Sequence, residues 1–217
     1  MTDFPPTSRS RLRRVPERGR YDKSTIYPII DEALICHVAF EHDGQPFVIP
    51  TIHARDGDRL LLHGARASRL LKVAQSGAPL SVAITLLDGL VMARSIFNHS
   101  MNYRSVVLFG RGRLVDEPAA KRQDLKTLSQ RIAPGRWDDV RGPTEKELYA
   151  TSLVSMALDS ATAKVRSGPP GDDEADYALP VWAGVIPVQR VFAAPLPDPR
   201  LAPDLPLPNY LRDYRRP

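Results

Sequence analysis

Two tight-turn signals, His42-Asp43-Gly44 and Asp56-Gly57-Asp58, separate three β-rich runs early in the chain: Leu34–Phe40 (LICHVAF), Phe47–Ala54 and Leu60–His63. This spacing constrains the fold more than any other feature. Asp-Gly supplies the positive-φ backbone whose twist suits a short hairpin. Connections this short join antiparallel neighbours, because parallel strands need a crossover of about a dozen residues or more. The sheet therefore begins as consecutive antiparallel hairpins.

The rest of the chain extends that pattern. Ser24 or Asp22 caps a helix running through Ala33, with Pro28 in its first turns, where a missing N–H does little harm. Ala65–Gln75 has helical spacing, with Leu70, Leu71 and Ala74 on one side, and stops at Ser76-Gly77-Ala78-Pro79. Leu80–Leu87 reads as a strand, Asp88-Gly89 as a turn, Leu90–Ala93 as a short apolar run, and Ser95–Asn102 as a polar connection. Tyr103–Val115 is a long strand with Gly110 and Gly112 at bulges or bends. Pro118 opens a helix to about Arg131 capped by Asp116 or Glu117, and Thr144-Glu145-Lys146-Glu147 is a capping box. Leu153–Leu158 and Val181–Val188 are late strands around the loop Gly168–Asp176. Without βαβ alternation, the expected fold is mainly β with helical insertions, an antiparallel barrel.

The 217 residues suit one domain with decorated ends. Residues 1–20 form a basic arm, 21–192 the barrel, and 193–217 a Pro-rich tail. The arm carries Arg9, Arg11, Arg13, Arg14, Arg18 and Arg20 and dominates the net charge of +5. It reads as a solvated arm. Contact with nucleic acid is the other reading, but no aromatic residues interleave with those arginines. Cys36, the one cysteine, lies in an apolar run and is expected to be a buried, inert thiol. No secretory h-region and no membrane-length apolar run occurs, so a cytoplasmic setting is expected.

Nucleophile elbows, P-loops and the dinucleotide glycine fingerprint are missing from the sequence. The histidines (His37, His42, His53, His63, His99) lack metal-ligand spacing, and no metal site is expected. What remains is an anion-binding pattern, His63-Gly64-Ala65-Arg66-Ala67-Ser68-Arg69, joining a strand to a helix. Gly64 permits close backbone approach, Ser68 offers a hydroxyl and Arg69 a charged fork. On spacing alone, Ser68 and Arg69 also read as exposed first-turn helix residues.

Four blocks in order resemble the FMN-binding split β-barrel family that includes pyridoxamine 5'-phosphate oxidase, on the branch with the nitroimidazole-resistance proteins. They are Ile26–Pro50 with its DEALICHVAFEHDGQPFVIPT flow, Leu60–Lys72 (LLLHGARASRLLK), Asn102–Val115 (NYRSVVLFGRGRLV) and Pro180–Val188 (PVWAGVIPV). The resemblance implies an FMN-binding split barrel and a homodimer with cofactor sites at the subunit interface. It places Val48, Ile49, Pro50 and Thr51 along the flavin ring and Leu62 and His63 beside it. Ser68 and Arg69 would hold the phosphate. Arg104 and Ser105 stand where the family has an Arg followed by a polar residue, with Ser105 reaching across the dimer. Trp182, followed by Ala183-Gly184, matches a C-terminal Trp-x-Gly near the partner's flavin, although a plain core anchor is the alternative.

Departures limit what is inherited. The oxidase's phosphate-binding Arg and Lys on the second strand are missing around Val48–His53, which leaves Arg69, Arg66, Lys164 or Arg166 to meet the phosphate. Its C-terminal substrate-binding Arg-x-His is also missing, which speaks against oxidation of pyridoxamine phosphate. The functional expectation is a flavin-dependent oxidoreductase acting on a small organic substrate, with the flavin carrying the chemistry. The alternative is a non-catalytic flavin or haem sensor. No catalytic residue is assigned. His63 or His99 could donate a proton or be an ordinary hydrogen-bonded histidine.

Overall fold

The computed structural model describes residues 4–212 and Tyr214. Strands β1 (Gly19–Arg20), β2 (Ile35–His42), β3 (Gln45–Asp56), β4 (Arg59–Ala65), β5 (Pro79–Met92), β6 (Ser100–Leu114), β7 (Thr151–Ala157), β8 (Ala161–Arg166) and β9 (Gly184–Pro187) are joined by short helices. These are α1 (Lys23–Glu32), α2 (Arg69–Gln75), α3 (Pro118–Ile132), α4 (Arg136–Asp139), α5 (Glu145–Ala150) and α6 (Asn209–Arg212).

All strand pairings are antiparallel, and six strands close a ring in the order β2-β3-β4-β7-β6-β5. The β2–β3 turn has Asp43 and Gly44 both at positive φ, as the Asp-Gly signal requires. Inside the ring lie Val38, Leu60, Leu62, Ile84, Val106, Leu108, Val154 and Met156, and one end is closed by Ile26, Ile29 and Ile30 of α1. Asp22 caps α1 by accepting from the Thr25 N–H. Outside the ring, Leu128 of α3 packs on Ala54, Leu61 and Leu153. Cys36 is fully buried, and burial pushes its thiol pKa up to about 12, so it stays protonated.

The strand β6 turns the barrel corner. It pairs with β5 through Arg111, while its other edge meets β8 over Tyr103–Leu108 and β7 over Gly112–Leu114. Gly110 and Gly112 sit at that change of partner. A Cβ on Gly110 would fall 2.8 Å from Met156 Cγ, and one on Gly112 only 2.5 Å from Val154 Cγ1 and 2.6 Å from the Ala74 carbonyl. Close packing, with no slip in register, is what these glycines serve.

Several elements differ from expectation. Asp88-Gly89 is a bulge within one continuous β5, and Gly89 lies against β9, where a Cβ would come 2.9 Å from Val185. The expected connection Ser95–Asn102 already belongs to β6 from Ser100 onward. The strand β8 was not expected, since ATAKVR alternates but over six residues only, with alanine at two of its three apolar positions; it is held by pairing on both edges. Pro28 stands in the interior of α1, beyond its first turn. The helix after β4 starts at Arg69 and not at Ala65, because the Arg66 N–H donates to Ala150 and the Ser68 N–H to Ala65. The N-terminal segment is not wholly solvated. Phe4 lies in the core, and the buried Ser10 carbonyl accepts from the Thr162 hydroxyl.

Candidate functional site

The ring is incompletely laced. The first part of β3, Gln45–Ile52, pairs with β2, and its last part, His53–Asp56, pairs with β4. Beyond Leu62, β4 stays with β7 and leaves β3. A seam opens there with Val48–Thr51 on one lip and His63–Gly64 on the other. Two segments that local sequence cannot bring together thus face one opening.

Arg69 reaches this seam. Its guanidinium lies 4.5 Å from the Phe47 ring centroid and forms no ion pair among the described residues. Ser68 is half-buried, and its carbonyl accepts the Lys72 N–H while its hydroxyl makes no cap. Val48 and Pro50 are exposed, Ile49 packs on the core, and the Thr51 hydroxyl makes a long contact of 3.4 Å with the Ile52 carbonyl.

Leu62 and Gly64 have other close neighbours in the fold. Leu62 is completely buried, and its backbone lies between His53 of β3 and Val154 of β7. Its side chain belongs to the barrel core, and its backbone leads directly into His63. Gly64 faces Leu71 of α2, 3.2 Å from a would-be Cβ, so the helix is what approaches it closely.

Arg104 stands away from the seam, in a cleft of about 700 Å³ lined by Leu34, Leu86, Leu87, Phe192 and Tyr214. Its fork is already occupied. Nε and Nη2 donate to Asp88 at 3.0 and 2.8 Å, Nη2 also to Glu32 at 2.9 Å, and Nη1 to the other Glu32 oxygen. These bonds, Asp88 first, hold the guanidinium firmly protonated. One cation shared by two carboxylates ties β6 to β5 and to α1 beside the cleft. The sequence marks Asp88 only as a turn residue and gives no sign of either pairing, because Glu32 and Asp88 lie 72 and 16 residues from Arg104. Phe192 and Tyr214 meet edge to face at 4.7 Å at the rim.

Ser105 and Lys164 are cross-strand partners on the outer face of the sheet, and the Ser105 hydroxyl donates to the Lys164 carbonyl at 3.2 Å. Trp182 is 68% exposed, so it is no core anchor; its ring folds back over Gly184. The same outer face carries Ile35, Val48, Ile52 and Leu87, all exposed. Cross-strand register joins them into one surface: Ile52 lies opposite Ile35, Val48 opposite Ala39, Ala83 opposite Val107, and Leu87 opposite Tyr103. Isolated exposed apolar residues are ordinary, but a contiguous sheet face of them marks an interaction surface.

The five histidines have different surroundings. His37, His42 and His99 are largely open, and His53 is buried with Nε2 2.9 Å from the Ile30 carbonyl. His63 is half-buried and its Nδ1 is shielded, with no hydrogen-bond partner among the described residues. Burial lowers its pKa from 6.5, so the fold favours neutral imidazole. Because the folded-state pKa is depressed, this stability is fully present above about pH 6.5 and is lost as pH falls below it. Between pH 7 and pH 5 the wild-type Tm is expected to drop more than that of His63→Gln in calorimetric scans. Parallel curves would contradict the burial of His63.

No helix of the described residues is long and apolar enough to cross a membrane. The family described as pyridoxamine 5'-phosphate oxidase matches residues 22–165. Among solved structures, the flavocytochrome Anf3 from Azotobacter vinelandii is 42% identical, with a TM-score of 0.91 over 95% of this chain and 96% of that one. An FAD and haem binding protein from Mycobacterium smegmatis is 36% identical, with a TM-score of 0.87 over 90% and 98%. A protein described as a 5-nitroimidazole antibiotic resistance protein, from Bacteroides thetaiotaomicron, shares the fold at 21% identity, with a TM-score of 0.57 over 68% and 86%. No curated protein matches.

Proposed function

Because this chain belongs to the pyridoxamine 5'-phosphate oxidase family, with its split-barrel flavoprotein fold, we propose that it is a flavin- and haem-binding redox protein. In this reading it works as a two-fold dimer on a small-molecule electron donor or acceptor. The observation that carries the reading is near full-length similarity, above a third in identity, to a flavocytochrome and to an FAD and haem binding protein. The second of these favours FAD over the FMN expected from the family at large.

The chain's own residues support that reading. The β3–β4 seam offers an open backbone edge at Val48–Thr51 for the polar rim of a flavin, with Arg69 at its end for a phosphate. His63 fits a haem or flavin contact, since its neutral ring has a shielded nitrogen in need of a partner. A seam on one subunit is shallow, and the exposed apolar sheet face gives a second copy a surface on which to close it. When bound, the flavin supplies the hydride and electron chemistry. The protein's part is to hold the ring against β3, exclude water and keep His63 neutral. Without an Arg-x-His after Trp182, turnover of pyridoxamine phosphate is not expected.

The test is the absorbance spectrum of the purified protein, with its cofactors released and identified. Flavin bands together with a haem Soret band are expected, and flavin bands alone would remove the haem. A colourless protein that takes up neither FAD, FMN nor haem would overturn the reading.

A further inference from the structure

Strands β3, β2, β5, β6 and β8 pair in that order, and one row of cross-strand partners runs Pro50, His37, Ala83, Val107 and Thr162. Strand side chains stand roughly perpendicular to the sheet and alternate between its faces. On β2, Cys36 and Val38 point into the core, and His37 between them is exposed on the outer face. Its neighbours Ala39, Ser81, Ala83 and Pro50 on that face have short or compact side chains, so the imidazole stands above them. Ile35, Val48 and Ile52, all exposed, lie around this low floor. His37 makes no hydrogen bond or ion pair among the described residues. By contrast, His42 lies 3.4 Å from Asp43, and His99 stands outside the strands with Nδ1 2.7 Å from the Ser95 carbonyl.

The β8 edge of the same face is basic. The row ends at Thr162, whose hydroxyl donates to the Ser10 carbonyl of the arginine-rich segment. Arg9 and Arg11 flank Ser10 and are exposed, and Lys164 stands two residues along β8 from Thr162. None of these three cations pairs with a carboxylate of the described residues. A free imidazole in an apolar floor, with cations at one edge, suits a flat apolar ring that carries carboxylates and an iron in need of a nitrogen ligand. Cys36, the one cysteine of the chain, faces the core behind His37, so coordination and packing would hold such a ring without a thioether bond.

We propose that His37 is an axial ligand of the haem iron, with the ring facing the sheet over Ala39, Ala83 and Pro50 and its propionates toward Arg9, Arg11 and Lys164. The assignment rests on the haem half of the reading above and deepens it. His37 lies opposite Pro50, within the stretch whose backbone is offered to the flavin, so the two cofactors occupy neighbouring strands and His63 is left to the flavin. One sheet face covers one side of a haem, and the second copy that closes the apolar face covers the other.

The test titrates ferric haem into cofactor-stripped protein and reads the Soret and visible bands of wild type, His37→Gly and His99→Gln. Wild type is expected to show the bands of an imidazole-ligated iron. His37→Gly should weaken haem binding roughly a hundredfold, and added imidazole should restore the wild-type bands, which it could not do for a packing defect. His99→Gln should keep the bands, with affinity within about twofold of wild type. Because His37 is a surface residue, Tm and FAD binding of His37→Gly should stay near wild type, which confirms the fold. Wild-type bands in His37→Gly without added imidazole, or a loss that imidazole does not reverse, would overturn the assignment. So would loss of ligation in His63→Gln while His37→Gly is unaffected. If wild type binds FAD but no haem, the haem half of the reading falls together with the ligand. If it binds haem through another residue, the reading stands and His37 alone is excluded.

Discussion

With Val48 and Ile52 both replaced by aspartate, the protein is expected to run as a colourless, folded monomer. Both side chains are exposed on one chain, at 63% and 42%. They lie on β3, at one edge of an apolar surface that crosses β3, β2, β5 and β6 in register. Within one subunit these are surface substitutions, so the fold should change little in stability. At a closed two-fold interface each aspartate is buried twice, without a partner. Association should weaken by at least roughly a hundredfold, and flavin occupancy should fall with it if two subunits cover the ring. Light scattering, together with the flavin-to-protein absorbance ratio, measures both. A flavin-loaded dimer in the double variant would refute the interface.

The second large effect is expected at Gly112. A methyl group there would stand 2.5 Å from Val154 Cγ1 and 2.6 Å from the Ala74 carbonyl oxygen. Val154 is a fully buried core residue and Ala74 is held in α2, so neither can retreat cheaply. Overpacking of this kind costs about 3 kcal/mol. For a domain of this size that lowers Tm by roughly 6–12 °C. Gly142, with open space where its Cβ would be, is the control. Gly142→Ala should melt with the wild type, and an unchanged Tm for Gly112→Ala would mean that the corner is looser than its geometry.

What the sequence disclosed about the fold was mostly local chemistry. The Asp43-Gly44 hairpin, the Asp22 and Glu117 caps and the Thr144 capping box all formed, because each depends on a few neighbouring residues. Asp88-Gly89 carried the same turn letters but was overruled by β9, a strand almost a hundred residues later whose close approach needs the glycine. The strand β8 was hidden for the opposite reason: it is short, and Ala161 and Ala163 have little strand character of their own until β6 pairs with both and β1 with Ala163. The candidate site divides in the same way. His63, Ser68 and Arg69 follow one another in the chain and could be read as a unit. That Val48–Thr51 forms the opposite lip, that Arg104 is already neutralised by Glu32 and Asp88, and that Trp182 points outward are facts of pairing between distant segments.

The corner strand β6 has a bearing on biosynthesis. Its edge at Tyr103–Leu108, with the sequence YRSVVL, finds its cover only in Ala161–Arg166, more than fifty residues farther along. While the chain emerges from the ribosome, the β5–β6 hairpin can form well before β8 has been made. During that interval it presents an uncovered ladder of N–H and C=O groups rich in β-branched residues, the kind of edge that templates association between nascent chains. The late β8 thus acts as a built-in guard strand. The arginine-rich segment that ends in β1 waits on the same guard, because β8 is the one strand with which β1 pairs among the described residues.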